Sequence, residues 1–222
     1  MGGASGGISP YAQLPAYARR PSPLDKYTPV TDAMLANPPA GDWLTWDPAR
    51  YLGHDVHGAT LGIIGRGRIG QAVGRRAGGF DMTVLYTGRD GGTPLAQLLA
   101  QSDFVSIHCP LTPATHHLID AEALTRMRRS AILINTARGP IVDQAALLGA
   151  LRDGRIAGAA LDVTDPEPLP ADDPLLSAPN LIVAPHIGSA THTAREQMAA
   201  LAVDNLLAAL DGQPMPHPVA AA

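Results

Sequence analysis

The chain has 222 residues, a formal net charge of −4, 45% hydrophobic but only 4% aromatic residues, and one cysteine, Cys109. That length suits one large domain or two small ones with an aliphatic core; the acidic balance argues against a nucleic-acid surface, and a lone thiol excludes an internal disulfide. No stretch approaches the ~20 apolar residues of a membrane-crossing helix, and MGGASGGISP lacks the basic start and apolar run of a secretory signal, so a soluble, cytoplasmic protein is expected.

Residues 1–50 carry Pro10, Pro15, Pro21, Pro23, Pro29, Pro38, Pro39 and Pro48. Each restricts the residue before it and interrupts helices, so irregular structure is expected, with one helical turn around Thr31–Ala36. From Ala59 the texture changes. Short apolar runs at Leu61–Ile64, Met82–Tyr86, Phe104–His108, Ala131–Ile134, Ala159–Val163 and Leu181–Ala184 read as strands, bounded by Gly, Pro or Asp. Residues 68–78, 94–101, 120–128 and 143–152 read as helices between them. The last of these is well signalled: Asp143 is placed to cap it, Arg152 lies in its final turn and Gly154 just beyond. A further helix over about 190–210 ends at Gly212 and Pro214. Strands apolar on both faces, alternating with helices, imply an α/β fold with a parallel sheet covered on two sides.

Gly65-Arg66-Gly67-Arg68-Ile69-Gly70 is a G-x-G-x-x-G run lying after one of these strands and opening a helix, the context a dinucleotide-binding loop requires. The first glycine permits the tight turn, Gly67 lets a pyrophosphate approach the backbone, and Gly70 lets helix and strand pack closely. The alternative is a glycine-rich strand–helix turn that binds nothing. The end of the next strand selects the cofactor. An acidic residue there would favour NAD; here Thr87-Gly88-Arg89 stands instead, and a guanidinium suits the 2′-phosphate of NADP(H). Asp90 is the rival contact, which would favour NAD, but its place beside Gly91-Gly92 suits a solvated turn residue.

Three later segments put polar groups at strand ends, where open parallel sheets place ligands. They are Asn135-Thr136-Ala137-Arg138-Gly139, the run from Leu161 to Pro168, and Pro185-His186-Ile187-Gly188-Ser189. An arginine, a carboxylate and a histidine suit reduction of a 2-keto acid: the cation holds the substrate carboxylate, the imidazole delivers a proton and the carboxylate orients it. Each has a plainer reading. Arg138 could be a surface ion-pair partner, Glu167 a solvated loop residue and His186 a structural histidine. His116 and His117 are adjacent, so on a strand they would face opposite ways, and no spacing around them suggests zinc; they read as loop residues. No metal site is expected. Cys109 reads as a small buried residue rather than a nucleophile.

With these motifs in view, the chain from about Trp43 to Pro218 resembles the D-isomer-specific 2-hydroxyacid dehydrogenases. LGIIGRGRIGQAVGRRA, SDFVSIHCPLTPATHHLI, AILINTARGPIVDQAALLGAL, GRIAGAALDVTDPEPLP and APNLIVAPHIGSATHTAR carry the resemblance. YTGR, DVTDPEPLP, HIGSATH and DNLLAALDGQPMP are most similar to the glyoxylate/hydroxypyruvate reductases within it. The resemblance implies a Rossmann-type doubly wound parallel sheet, with Arg138, Glu167 and His186 as the catalytic residues. It implies cofactor contacts from Arg68, Ile69 and Gly70, from Arg89, from Pro110, from Thr136, from Asp162 and from Gly188. It also implies NADPH, with NAD possible, as cofactor, and glyoxylate or hydroxypyruvate as the small-molecule substrate.

The family has a split substrate domain and forms homodimers. Against that pattern the expected organisation is an irregular remnant of the substrate domain over 1–50, an NAD(P)-binding domain over 51–188, and a C-terminal helix over 189–222 returning toward an incomplete substrate domain. Tyr27–Ala36 resembles the segment that enters the family's dimer-forming helix, and the helix itself reads as deleted. Only Asp90, Gly91, Gly92 and Thr93 separate Arg89 from Pro94, where the family has a helix and a short strand. Met198, Leu201, Leu206 and Leu207 are expected to be partly exposed. Three functions stay open: an active reductase, a protein that binds the dinucleotide without catalysis, and a dehydrogenase of another 2-hydroxy acid.

Overall fold

A computed structural model describes residues 53–218 of the chain. The helical turn expected at Thr31–Ala36, the substrate-domain remnant and the deleted dimer helix all lie outside the described residues. The chain divides into two units, Met1–His54 and Asp55–Ala222, and every helix and strand reported belongs to the second.

Seven strands form one sheet: β1 (Thr60–Ile64), β2 (Thr83–Gly88), β3 (Gly91–Gly92), β4 (Phe104–Ile107), β5 (Ile132–Asn135), β6 (Gly158–Leu161) and β7 (Leu181–Val183), in the spatial order β3-β2-β1-β4-β5-β6-β7. Among the described residues five α-helices accompany it: α1 (Arg68–Ala77), α2 (Leu95–Gln101), α3 (Ala121–Arg126), α4 (Gln144–Arg152) and α5 (His192–Leu210). All strand pairs are parallel except β2–β3. The order runs one way from β1 through β2 to β3, then restarts on the other side at β4. The crevice at the strand ends between β1 and β4 is therefore the switch point where a doubly wound sheet binds its ligand.

The six expected strands and five expected helices are present, with ends displaced by one or two residues. The second strand runs past Tyr86 to Gly88, because Thr87 and Gly88 pair with Gly92 and Gly91. Nothing in the residue pattern marks that two-residue antiparallel strand. Its turn is Arg89-Asp90, and Gly91 and Gly92 both have positive φ (96° and 114°), a conformation their lack of Cβ permits.

Ile63, Leu98, Leu99, Ile107, Leu133 and Leu147 are fully buried, on the central strands and on the helices packed against them. Each such side chain stabilises the fold by roughly 1.5–3 kcal/mol relative to exposure. Side-chain caps start three of the helices: Asp120 accepts from Ala123 N (2.8 Å), Asp143 from Ala146 N (3.0 Å) and Thr191 from Ala194 N (3.1 Å). Helix α5 differs from the rest. None of its residues is buried, and Met198, Leu201, Val203, Leu206, Leu207 and Leu210 are all exposed, the four expected ones among them. Among the described residues no helix is long and apolar enough to cross a membrane.

Candidate active site

The glycine loop leaves β1 at Gly65, whose φ of 103° a side chain would not tolerate; a Cβ there would also lie 2.6 Å from the Cys109 nitrogen. The β1–α1 turn is thereby pressed against the end of β4. Gly70 brings α1 equally close, since a Cβ on it would lie 2.0 Å from the Gly65 carbonyl oxygen. Gly67 is different: a Cβ built there meets nothing within 4 Å. It caps α1 with no side-chain hydrogen bond, and the helix has no acidic residue in its first turn. The N–H groups and positive end of α1 therefore face open space, which fits the pyrophosphate of a dinucleotide.

Next to the turn lies a cleft of about 490 Å³, lined by Ile69, by His108 to Leu111 and by Thr136 to Arg138. The expected contacts Ile69, Pro110 and Thr136 and the expected catalytic Arg138 share this cleft. On its β4 wall, Thr115 Oγ1 donates to the Pro110 carbonyl at 2.7 Å and accepts from Thr112 N at 2.8 Å, closing the loop after the strand. His108 Nε2 lies 2.9 Å from Ser106 Oγ, and burial pushes the imidazole pKa below its ordinary value. Cys109, expected to be buried, is only half-buried; partial burial still pushes its thiol up, partly offset by a backbone hydrogen bond.

Thr87 and Gly88 end β2 beside the glycine loop, and a Cβ on Gly88 would come 3.6 Å from Arg66 N. Arg89 and Asp90 sit on the hairpin turn, their side chains 96% and 95% exposed and 3.7 Å apart. An ion pair so exposed contributes little to stability and holds neither group firmly.

The remaining site residues follow β5, β6 and β7, which are neighbours with their carboxyl ends on one edge. Asn135 ends β5 and is 1% exposed; its side chain accepts from Ala137 N (3.0 Å) and donates to the Arg138 carbonyl (2.9 Å). This tie fixes the loop that presents Arg138, whose Nη1 donates to Ala137 O at 2.6 Å. Just past it, Gly139 lies so close to the Thr164 backbone that a Cβ would fall 2.0 Å from the Thr164 carbonyl oxygen. The arginine loop and the loop after β6 are thus in direct contact.

After β6, the buried Asp162 carboxylate accepts from Ile187 N and Gly188 N, both at 2.8 Å. Asp162 therefore holds the histidine loop, and Gly188 is where that loop is held; each carboxylate oxygen keeps a further lone pair for a ligand. Gln144, at the start of α4, accepts from Asp165 N at 3.0 Å and also donates to the Asp165 carbonyl. Glu167 and His186, 19 residues apart in sequence, meet: Oε1 lies 2.5 Å from Nδ1. The imidazole sits on a residue with φ 55°, a strained backbone for a non-glycine residue and one the surrounding loop must hold.

Of the three residues expected to act together, then, His186 and Glu167 are in contact, and Arg138 stands one loop away across the Gly139–Thr164 junction. Asn135 and Gln144 were missed as positioning groups. Asn135 could have been suspected from its place beside Arg138, whereas nothing local marks Gln144. His116 and His117 lie in a loop, as expected: they belong to a turn, His117 has φ 50°, and the two rings stack at 4.1 Å. Among the described residues no group of three or more His, Cys, Asp or Glu is arranged to hold a metal ion.

Residues 31–188 match the family described as D-isomer specific 2-hydroxyacid dehydrogenase, NAD binding domain. A glyoxylate reductase of Korarchaeum cryptofilum is 47% identical over 219 residues, 93% of this chain and 63% of that protein. Glyoxylate/hydroxypyruvate reductase B of Pectobacterium carotovorum is 52% identical over 186 residues, 78% of this chain and 58% of that protein. The solved TT0316 protein of Thermus thermophilus is similar at a TM-score of 0.79 and 50% identity, over 89% of this chain and 65% of its own. The chain thus spans about three-fifths of the length of the curated relatives it matches.

Proposed function

The chain belongs to the D-isomer-specific 2-hydroxyacid dehydrogenase family, and from that premise we propose that it reduces a small 2-keto acid, glyoxylate or hydroxypyruvate, to the D-2-hydroxy acid with NADPH. The observation that carries the reading is the pairing of His186 with Glu167 at the edge where Arg138 also emerges.

When bound, a nicotinamide dinucleotide would supply the hydride; the rest falls to this chain's own groups. The N-terminus of α1 and the open face at Gly67 receive the pyrophosphate, while Ile69, Pro110 and Thr136 line the cleft for the nicotinamide end. Arg138 binds the substrate carboxylate. Glu167 engages His186 Nδ1, which fixes the ring and leaves Nε2 to deliver a proton to the oxygen that becomes the hydroxyl. Asp162, through Ile187 N and Gly188 N, keeps the imidazole from swinging away. Arg89, in place of an acidic residue at the end of β2, supports the choice of NADPH over NADH.

The cofactor-binding unit is read as residues 51–188, with 189–222 forming the return toward an incomplete substrate domain. The purified chain should oxidise NADPH in the presence of glyoxylate or hydroxypyruvate. His186→Ala should lower turnover by roughly 10²–10⁴-fold while leaving the NADPH dissociation constant unchanged. NADPH binding without turnover in the unaltered chain would instead support a protein that binds the dinucleotide only.

A further inference from the structure

The geometry points to Arg66, the residue between the first two glycines of the loop, as the principal contact for the 2′-phosphate of NADPH. This assignment rests on the proposed NADPH dependence and adds to it a residue that neither the motif nor the strand-end rule singles out. In the motif, that position is unspecified.

Arg66 is exposed, and its guanidinium carbon lies 5.1 Å from the centre of the Tyr86 ring, a cation–π arrangement. Tyr86 belongs to β2, and its hydroxyl fills the space over Gly74 of α1, where a Cβ would fall 1.8 Å from it. The ring is therefore a fixed platform wedged between strand and helix. The Arg66 backbone is held as well: Gln71 Nε2 donates to its carbonyl at 2.9 Å. The Arg66 backbone nitrogen lies beside Gly88, and the guanidinium stands over Tyr86, two residues before the carboxyl end of β2, near where a dinucleotide fold places the adenosine ribose. No carboxylate among the described residues forms an ion pair with it.

Arg89 presents the contrast. It lies on a turn, almost wholly exposed, with Asp90 3.7 Å away to repel a phosphate dianion. A cation resting on an aromatic ring loses less freedom on binding than one at a hairpin tip, and a planar guanidinium suits the oxygens of a phosphate monoester. Arg66 is accordingly the pre-placed half of the site, and Arg89 the mobile half that completes it.

The test compares 2′,5′-ADP with 5′-AMP by calorimetry, and NADPH with NADH by fluorescence, on the full chain and on Arg66→Ala and Arg66→Lys. Arg66→Ala should weaken 2′,5′-ADP and NADPH roughly tenfold to a hundredfold and leave 5′-AMP and NADH as they were. Arg66→Lys, which keeps the charge and loses the plane, should fall between. Equal weakening of both members of each pair would place Arg66 on the pyrophosphate or adenine and overturn the assignment, as would no change in either. The two readings fail separately. An unaltered chain that prefers 2′,5′-ADP but turns nothing over keeps the Arg66 site and loses the reductase. One that binds 5′-AMP as tightly as 2′,5′-ADP loses the NADPH preference, and this assignment with it.

Discussion

On one flank of the switch point, around β1 and β2, polar contacts are made by backbone and by exposed cations: the N–H groups of α1, Arg66 on the Tyr86 ring, and Arg89 on an open turn. On the other, beyond β5, β6 and β7, exposed functional side chains are tied to buried polar ones. Asn135, at 1% exposure, holds the Arg138 loop, and Asp162, at 9%, holds the His186 loop. The difference matches the tasks proposed for the two flanks. A pyrophosphate is recognised by a helix end, which needs only close backbone approach, so glycines suffice. A proton transfer needs one imidazole nitrogen aimed to within a fraction of an ångström, which needs anchors that cannot move.

Three substitutions press on that contrast. Gly70→Ala should have the largest effect. The added methyl would fall 2.0 Å from the Gly65 carbonyl oxygen, so the loop must shift, destabilising the fold by roughly 1–3 kcal/mol and abolishing measurable NADPH binding. A denaturant midpoint and a fluorescence titration read both quantities, and NADPH binding unchanged from the parent would show that backbone approach does not build this flank.

Asn135→Ala comes second. It leaves the glycine loop alone but frees the Arg138 loop and strands the Ala137 N–H, so turnover should fall on the order of tenfold, with a smaller loss of NADPH affinity because Thr136 belongs to the same loop. Steady-state kinetics beside a binding titration separates the two; an equal loss of cofactor affinity would mean that the flanks are not independent.

The smallest effect belongs to His108, where the flanks meet. Burial lowers its folded-state pKa, so as pH falls below the unfolded value near 6.5 the unfolded chain takes up the proton first and stability is lost. His108→Asn should remove that share of the acid sensitivity. The fall in Tm between pH 7 and pH 5 should then be smaller in the variant, and an equal fall would exclude His108 as a contributor.

The glycine loop was legible because its parts are contiguous: strand, three glycines and helix run without a break from Thr60 to Ala77. The same holds for Asp143 capping α4, where cap and capped N–H are three positions apart. Hairpin β3 was hidden because Gly91-Gly92 has no strand propensity, and only pairing with the already placed β2 makes it a strand. Gln144 was hidden for a related reason. It sits on a helix start like many other glutamines, and its bond to Asp165, 21 residues away, exists only once the two loops are adjacent.

The order of hydrophobic runs, the glycines and the caps were set by the sequence alone, since each acts through near neighbours whose spacing the covalent chain dictates. Which distant groups touch was decided by the assembled sheet. His186 meets Glu167 because β6 and β7 are neighbours, and Arg66 finds its ring because β2 lies beside β1. Such contacts form across hydrogen-bonded strands, and their partners cannot be read from separations along the chain.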